Sequence, residues 1–191
     1  DLVLIAPGEY HEAVEVAKTL EGSDAVRVLR QIRRQDPRLI EAQVALADAL
    51  RRADQDRQAE AEYRDLVRAL PNDARVRFGL GGALLALGEY GPALEALDTA
   101  AALGETSGEL HARRAEALSR LQRYAEAAAA YRKALRTNVE YVGWRLHLGV
   151  ALAASGPEGR TEAERRLREV LAMDPGNTRA WEELHKLGAR F

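Results

Sequence analysis

The chain has 191 residues, of which 47% are apolar and 30% charged, so it is long enough and apolar enough to fold around a core. Its 28 basic and 30 acidic residues leave a net charge of −2, which argues against a nucleic-acid partner because phosphates require many uncompensated cations. The absence of cysteine excludes disulfides, thiolate metal sites and a cysteine nucleophile, and no apolar run approaches the roughly 18 residues that a membrane span needs.

Helix-forming residues dominate the composition. Alanine, leucine, arginine and glutamate are abundant, aromatic residues make up 5%, and most of the six prolines stand where a helix is predicted to begin or end. We therefore predict an all-α protein. The abundance of alanine and arginine is common in high-GC bacteria, so we expect a bacterial source.

The compartment is indicated only weakly by the sequence, since a chain without cysteine suits either redox environment. The chain begins at Asp1 rather than at methionine, and we interpret it as a mature protein or a fragment of a larger one. We favour a cytoplasmic location, with the periplasm as the alternative if a signal peptide has been removed.

The sequence repeats itself with a period of 34 residues. Two turn-plus-helix starts, 88–94 and 122–128, lie 34 residues apart, and the period lengthens once to 36 where the loop 156–159 supplies two extra residues. Alanine recurs in one register at Ala25, Ala59, Ala93, Ala127 and Ala163. Four residues later each repeat has a large residue: Leu29, Tyr63, Leu97, Tyr131 and Leu167. The preceding helix has a small one: Ala13, Ala47, Gly81, Ala115 and Gly149.

In chain order, the pattern predicts an N-terminal extension, five helical hairpins and a final helix. Their ranges are 1–5, then 6–39, 40–73, 74–107, 108–141 and 142–177, then 178–190. Apolar residues three and four apart give each helix an apolar face that one hairpin cannot bury alone. The hairpins are therefore expected to stack as a single array over 6–191.

Local signals refine this outline. In the third hairpin, Gly81 is expected to face Ala93 so that the two helices approach closely. Capping boxes that begin at Thr106 and Thr161 are predicted to open two later helices. We interpret the last helix as a solubilising cap, with a truncated sixth repeat as the alternative.

This pattern resembles the tetratricopeptide repeat family over nearly the whole chain. The family's Leu-Gly pair recurs at 80–81 and 148–149, and its Asp-Pro ending at 36–37 and 174–175. The chain departs from the family where leucine is usual, at Glu12 and Arg114, and where proline is usual, at Glu105 and Val139. The resemblance implies a right-handed α-α superhelical solenoid of five antiparallel hairpins plus the capping helix, with the first helices lining a concave face.

Counting along those first helices predicts a peptide-binding concave face. Its residues are Val44, Asp48, Arg51, Arg52, Arg75, Phe78, Gly82, Leu85, Arg113, Glu116, Arg120, Leu146, His147 and Val150. Phe78, with the glycines Gly79 and Gly82 nearby, is expected to form a shallow apolar pocket for a bulky partner side chain. The five arginines are expected to hold partner carboxylates or, alternatively, to pair with carboxylates of their own scaffold.

No catalytic, metal or cofactor site is recognisable, so we predict that the protein is not an enzyme. The four histidines are His11, His111, His147 and His185. None is paired with another at three or four residues, as a helical zinc site requires. The glycine-rich stretch 79–82 lies within a predicted helix, where it lacks the strand of a dinucleotide-binding motif. Every asparagine falls in a turn, so the carboxylate clamp of the family's co-chaperones is absent.

The leading functional prediction is a scaffold that binds a peptide or a partner-protein segment, with an apolar anchor and acidic flanks, in the concave groove. The alternative is a structural scaffold that forms a homo-oligomer through its end hairpins. The apolar stretch 2–5 would supply such a contact or pack on the first hairpin.

Overall fold

The computed structural model describes residues 8–189, and every regular element within them is helical. The eleven α-helices of this part of the chain are α1 (Tyr10–Thr19), α2 (Gly22–Gln35), α3 (Ile40–Arg52), α4 (Asp56–Ala69), α5 (Ala74–Ala86), α6 (Tyr90–Ala102), α7 (Gly108–Arg120), α8 (Tyr124–Thr137), α9 (Val142–Ala154), α10 (Arg160–Met173) and α11 (Thr178–Lys186). Consecutive helices form antiparallel pairs, which confirms the predicted fold class. No described helix is long and apolar enough to cross a membrane.

The chain divides into two compact units. The N-terminal unit ends at Gly104 and contains α1–α6, whereas the C-terminal unit begins at Glu105 and contains α7–α11. Within each unit, every helix packs against the next one along the chain. The predicted stretch 2–5 lies outside the described residues, and the division of the chain into five repeats of one array stays a prediction.

The core of the N-terminal unit is made by the apolar faces of its amphipathic helices. Leu29, Ile32, Leu46, Leu50 and Leu66 are fully or almost fully buried there. Burying each such side chain stabilises the fold by about 1.5–3 kcal/mol before conformational entropy is subtracted. The spacing of three and four residues that the sequence repeats is therefore the spacing that forms this core.

Glycines set the distance between paired helices, as the sequence predicts for Gly81. A Cβ atom on Gly81 would lie 2.6 Å from Cγ of Leu97 and 3.4 Å from the carbonyl oxygen of Ala93. In the C-terminal unit, a Cβ on Gly149 would lie 2.9 Å from Leu167 and 3.6 Å from the Ala163 oxygen. A side chain at either glycine would force its two helices apart, since such interiors are close-packed.

Three of the helices in the described part of the chain begin at a side-chain cap. The carboxylate of Asp73 accepts hydrogen bonds from the backbone nitrogens of Arg75 and Val76, at 2.9 and 3.1 Å, at the start of α5. The hydroxyl of Ser107 accepts from Leu110 N at 3.2 Å in α7, and the Asn177 amide oxygen accepts from Ala180 N at 3.0 Å in α11. Each cap satisfies backbone donors that the first turn of a helix leaves unpaired.

The two predicted capping boxes are wrong. The cap of α7 is Ser107 rather than Thr106, because Ser107 has the extended backbone of a capping residue, with φ −62° and ψ 152°. Thr161 lies inside α10, which begins at Arg160. The long loop, which has two extra residues, contains a 3-10 turn, Pro157–Gly159, that leads directly into α10 without a side-chain cap.

The last helix is shorter than predicted, ending at Lys186. Gly188 takes a φ of +64°, and the backbone nitrogens of Gly188 and Ala189 donate to the carbonyls of His185 and Leu184. Glycine adopts this left-handed conformation without the steric cost of a Cβ, so it ends the helix.

Candidate functional site

The C-terminal unit contains a cavity of about 350 Å³ beside α7 and α9. Five of its lining residues carry rings: Tyr124, Tyr131, Tyr141, Trp144 and His147. Its charged residues are Arg113, Arg120, Arg179, Glu109 and Glu116, and small or apolar residues complete it: Ala112, Ser119, Gly143, Val150 and Ala151. We call this feature the aromatic cavity.

Helical spacing explains why these residues share one surface. The lining residues of α7 fall at 109, 112, 113, 116, 119 and 120, and those of α9 at 143, 144, 147, 150 and 151. Positions three and four apart lie on the same face of a helix. Arg179 of α11, together with Tyr124 and Tyr131 of α8, adds side chains from the neighbouring helices.

The rings form two contacting pairs. Tyr131 and His147 stack with their ring centroids 5.7 Å apart and their planes inclined by 18°. Tyr141 and Trp144 are in contact at 4.6 Å, with their planes inclined by 40°. Glycines make room for the second pair, since a Cβ on Gly108 would lie 2.8 Å from the Trp144 ring. The aromatic wall is thus held in place by its own packing.

Burial and neighbouring charges shift the pKa values of two of these side chains, Tyr131 and His147. Burial raises the pKa of Tyr131, and the nearby Glu116 carboxylate raises it further, so the phenol keeps its proton. Burial lowers the pKa of His147 below its ordinary value of 6.5, and the positive charges of Arg179 and Arg120 lower it further. His147 is therefore predominantly neutral at pH 7.

The cavity has more positive than negative side chains. The Nε atom of Arg113 lies 3.0 Å from a carboxylate oxygen of Glu109, four residues earlier on α7. Arg179 makes no salt bridge within 4 Å to any described residue. Of the five predicted arginines, Arg113 therefore has the scaffold carboxylate that the alternative expects. Arg179 is not among those five.

The N-terminal unit uses the corresponding positions differently. A shift of 68 residues, or two repeats, relates Glu116 to Asp48, Tyr131 to Tyr63 and His147 to Gly79. The Tyr63 hydroxyl donates a hydrogen bond to the Asp48 carboxylate.

Gly79 makes room for the Tyr63 ring. A Cβ on Gly79 would lie 2.7 Å from the Tyr63 oxygen and still closer to two ring carbons. The expectation that Gly79 opens a pocket beside Phe78 is therefore wrong, because the space over this glycine is filled by Tyr63 from the preceding hairpin.

The predicted site residues fall into three groups. Those that line the aromatic cavity are Arg113, Glu116, Arg120, His147 and Val150. Those at least partly accessible in the N-terminal unit are Asp48, Arg51, Arg52, Arg75, Phe78, Gly82 and Leu85. Two residues belong to apolar cores instead: Val44, 7% exposed, and Leu146, 9% exposed.

Val44 and Leu146 are corrections to the predicted face. Helix α3 has contacts with α1, α2, α4 and α5, and α9 has contacts with α8, α10 and α11. Helices covered on several sides bury positions that a count along one helix assigns to a free surface. Leu146 accordingly packs with Leu167, Val170 and Ala180.

Sequence reasoning missed several lining residues. The repeat pattern marks Tyr131 only as a large residue, and it does not single out Trp144, although Trp144 precedes His147 by three residues on the same face. Arg179 belongs to the helix interpreted as a cap, and no spacing within one repeat connects it to α7. The spacing of Trp144 is a usable signal, whereas the position of Arg179 requires the packing of α11.

Comparison with known proteins supports the repeat assignment. A sequence model of the tetratricopeptide repeat family matches residues 44–108 and 113–156, which together exceed half of the chain. No curated protein sequence matches the chain.

Several solved structures share the fold. YrrB is 19% identical with a TM-score of 0.75, over 85% of this chain and 82% of that one. TTC0263 from Thermus thermophilus is 17% identical with a TM-score of 0.66, over 93% and 98%. A segment of MamA from Desulfovibrio magneticus RS-1 is 17% identical with a TM-score of 0.77, over 89% and 96%. With its repeat spacing, its paired helices and this family match, the chain belongs to the tetratricopeptide repeat family.

Proposed function

We propose that the chain is a protein-interaction module whose aromatic cavity binds a segment of a partner protein. The observation that carries the proposal is the combination, in one cavity, of a packed aromatic wall with three arginines. Aromatic and arginine side chains dominate the binding energy of protein interfaces, because both offer large contact areas with directional interactions.

The size of the aromatic cavity favours a peptide segment over a folded surface. Ligand pockets have volumes of about 300–1,000 Å³, and this cavity, at about 350 Å³, lies at the lower end. It accommodates one or two side chains. A flat ring or branched apolar side chain would contact the Tyr141–Trp144 pair and serve as the anchor.

The charges favour acidic flanks on that segment. Three arginines face two glutamates, and His147 adds no charge at neutral pH because its pKa is lowered by burial and by Arg179 and Arg120. A guanidinium holds a carboxylate through two parallel hydrogen bonds, a contact of about 1.5–3 kcal/mol. Arg179 is the residue we assign to this contact.

The family supports the proposal by analogy. YrrB, which shares the fold at 19% identity, is described as a tetratricopeptide repeat protein with an unusual peptide-binding site. A shared fold does not transfer a ligand, so the proposal depends on the cavity's own side chains.

Trp144 allows a direct test. The chain has two tryptophans, and replacing Trp181 by phenylalanine leaves Trp144, inside the cavity, as the only one. Peptides selected from a random display library against this variant are titrated while tryptophan emission is followed. We expect selected peptides that combine an apolar residue with acidic neighbours, shift Trp144 emission, and bind Arg179→Ala about tenfold more weakly.

The matched control is Lys186→Ala, which removes another exposed cation from α11 outside the aromatic cavity. It should leave affinity unchanged. Selected peptides that bind without changing Trp144 emission, and equally well to Arg179→Ala, would rule out this cavity as the binding site.

Self-association is a second candidate function, favoured by apolar side chains exposed near the end of the C-terminal unit. Met173 is 40% exposed and Trp181 is 44% exposed. Contact between copies would remove this area from water. A molar mass that stays constant in light scattering over a hundredfold range of concentration would exclude this candidate.

A further inference from the structure

We propose that the C-terminal unit has a second protein-binding site, a groove between α8 and α10 that takes an acidic segment with one apolar anchor residue. The groove has a volume of about 410 Å³ and is lined by Arg132, Leu135, Arg136, Val139, Arg145, Leu148 and Arg166. None of these residues lines the aromatic cavity. The proposal goes beyond the function proposed above and does not depend on it.

The floor of this arginine groove is apolar. Leu148 is fully buried, Leu135 is half-buried, and Val139 is 58% exposed. Val139 stands in the loop before α9, at the position where the repeat pattern usually has proline. Val139 and the exposed part of Leu135 offer a contact for one apolar side chain of a ligand.

The rim of the arginine groove consists of its four arginines, Arg132, Arg136, Arg145 and Arg166. It carries more positive charge than nearby carboxylates of the chain neutralise. Glu162 lies 2.6 Å from Arg132 and 3.6 Å from Arg166. Glu169 lies 2.6 Å from Arg145 and 3.1 Å from the same Arg166. Two carboxylates are thus shared among three guanidinium groups.

A fourth guanidinium adds to this excess. Arg136 is exposed and makes no salt bridge within 4 Å to any residue of the range 8–189. A carboxylate of a ligand would supply the partner that this guanidinium does not have among these residues.

The combination of rim and floor selects the kind of ligand. Nucleic acid would meet the arginines but leaves Leu135 and Val139 without an aliphatic partner, and its affinity requires many phosphate contacts. A membrane surface is contacted by protruding apolar side chains, whereas this floor lies within a groove. An acidic protein segment with a single leucine-sized residue matches both features.

The test uses a fluorescein-labelled peptide, Glu-Glu-Leu-Glu-Glu, whose binding to the whole chain is followed by fluorescence anisotropy. We expect Arg136→Ala to weaken binding about tenfold, the effect of losing one charge-assisted contact. We expect Val139→Asp to abolish binding, because it places a carboxylate beside the anchor. Both residues are exposed, so neither change removes a core side chain.

Two control variants distinguish this site from the rest of the surface. Lys133→Ala removes a cation from the same helix as Arg136 but outside the groove, since the charge of Lys133 acts on His111 of α7. Lys133→Ala should bind the peptide like the unaltered chain. Arg179→Ala removes the contact proposed for the aromatic cavity, so the measurements are repeated in that background, where the losses caused by Arg136→Ala and by Val139→Asp should persist.

Each other outcome overturns the proposal. Absence of binding at millimolar peptide, complete loss of binding in Arg179→Ala, or equal binding to Arg179→Ala with and without Arg136→Ala would exclude the arginine groove as the site. A peptide with glycine in place of leucine that binds equally well would show that the floor contributes nothing, and a DNA oligonucleotide that competes at equal phosphate concentration would identify a general anion site.

Discussion

The His147 ring lies against the Tyr131 ring with 5.7 Å between centroids, and it occupies the repeat position that Gly79 occupies in the N-terminal unit. Each of these two residues contacts a buried tyrosine: Gly79 contacts Tyr63, and His147 contacts Tyr131, which lies two repeats later in the sequence. Gly79 has no side chain and so makes room for the Tyr63 ring, whereas the imidazole of His147 stacks on the Tyr131 ring. The same backbone position is therefore used for close packing in one unit and for the wall of a cavity in the other.

The charge state of His147 is the first prediction. Burial and the cations Arg179 and Arg120 lower its pKa, so we expect its NMR titration midpoint below 6.5. Arg179→Ala removes one positive charge and should raise that midpoint, whereas Lys186→Ala, on the same helix, should not. A midpoint at or above 6.5 in the unaltered chain would contradict the burial of this ring.

The same shift has a consequence for stability. In the unfolded chain His147 binds a proton near pH 6.5, whereas in the folded chain its lowered pKa keeps it neutral to a lower pH. The free energy of unfolding therefore has its full His147 contribution above pH 6.5 and loses it as the pH falls toward the folded pKa. We expect His147→Phe, which keeps an aromatic stack but cannot titrate, to flatten this decline. Urea unfolding followed by circular dichroism across this pH range measures it, and His111, whose pKa is also lowered, contributes to the slope that remains.

The Gly79–Tyr63 contact gives the second prediction. We expect Gly79→Ala to destabilise the chain by about 1–3 kcal/mol, the typical cost of overpacking, because its methyl group would overlap the Tyr63 ring. Gly176→Ala is the matched control. A Cβ there meets only a carboxylate oxygen of Asp174 at 3.7 Å, so its effect should stay within about 0.5 kcal/mol.

A double-mutant cycle identifies the cause of the Gly79 effect. Tyr63→Leu removes the ring, and we expect Gly79→Ala to cost less in that background than in the unaltered chain. Equal costs in both backgrounds would mean that the backbone of α5, rather than the ring, rejects the methyl group.

The cap of α7 gives the third prediction. Ser107→Ala removes the acceptor for Leu110 N, and we expect it to lower the free energy of unfolding by about 0.5–2 kcal/mol. Thr106→Ala, one residue earlier and outside the cap, should change it by less than about 0.5 kcal/mol. Thermal unfolding measured at 222 nm compares the two, and a larger effect at Thr106 would support a capping box that begins there.

Much of the fold was predictable because its determinants recur. The 34-residue columns identify the contact of Gly81 with Ala93 and the buried positions of Leu29, Tyr63 and Leu97, since each repeats the same packing. The predicted capping boxes were wrong because the capping position does not belong to the repeating columns. Moving the cap by one residue, as from Thr106 to Ser107, leaves every column unchanged.

The candidate site was predictable only in part. Arg113, Glu116, Arg120 and His147 follow from spacing along single helices, and they line the aromatic cavity. Spacing does not tell which neighbouring helix covers a face, so it places Val44 and Leu146 on a surface. Arg179 joins the cavity through the packing of α11, which depends on side chains of other repeats.

The long loop before α10 has a practical consequence. Its two extra residues are absorbed by the 3-10 turn Pro157–Gly159, while Gly149 and Ala163 on either side still meet almost as closely as Gly81 and Ala93 do across a shorter connection. Helix pairing here is governed by the residues that touch rather than by the length of the link. The exposed bond between Pro157 and Glu158 is therefore the place to insert an epitope or a fluorescent reporter, whereas Gly159 must stay, because a Cβ there would overlap the carbonyl oxygen of Leu152.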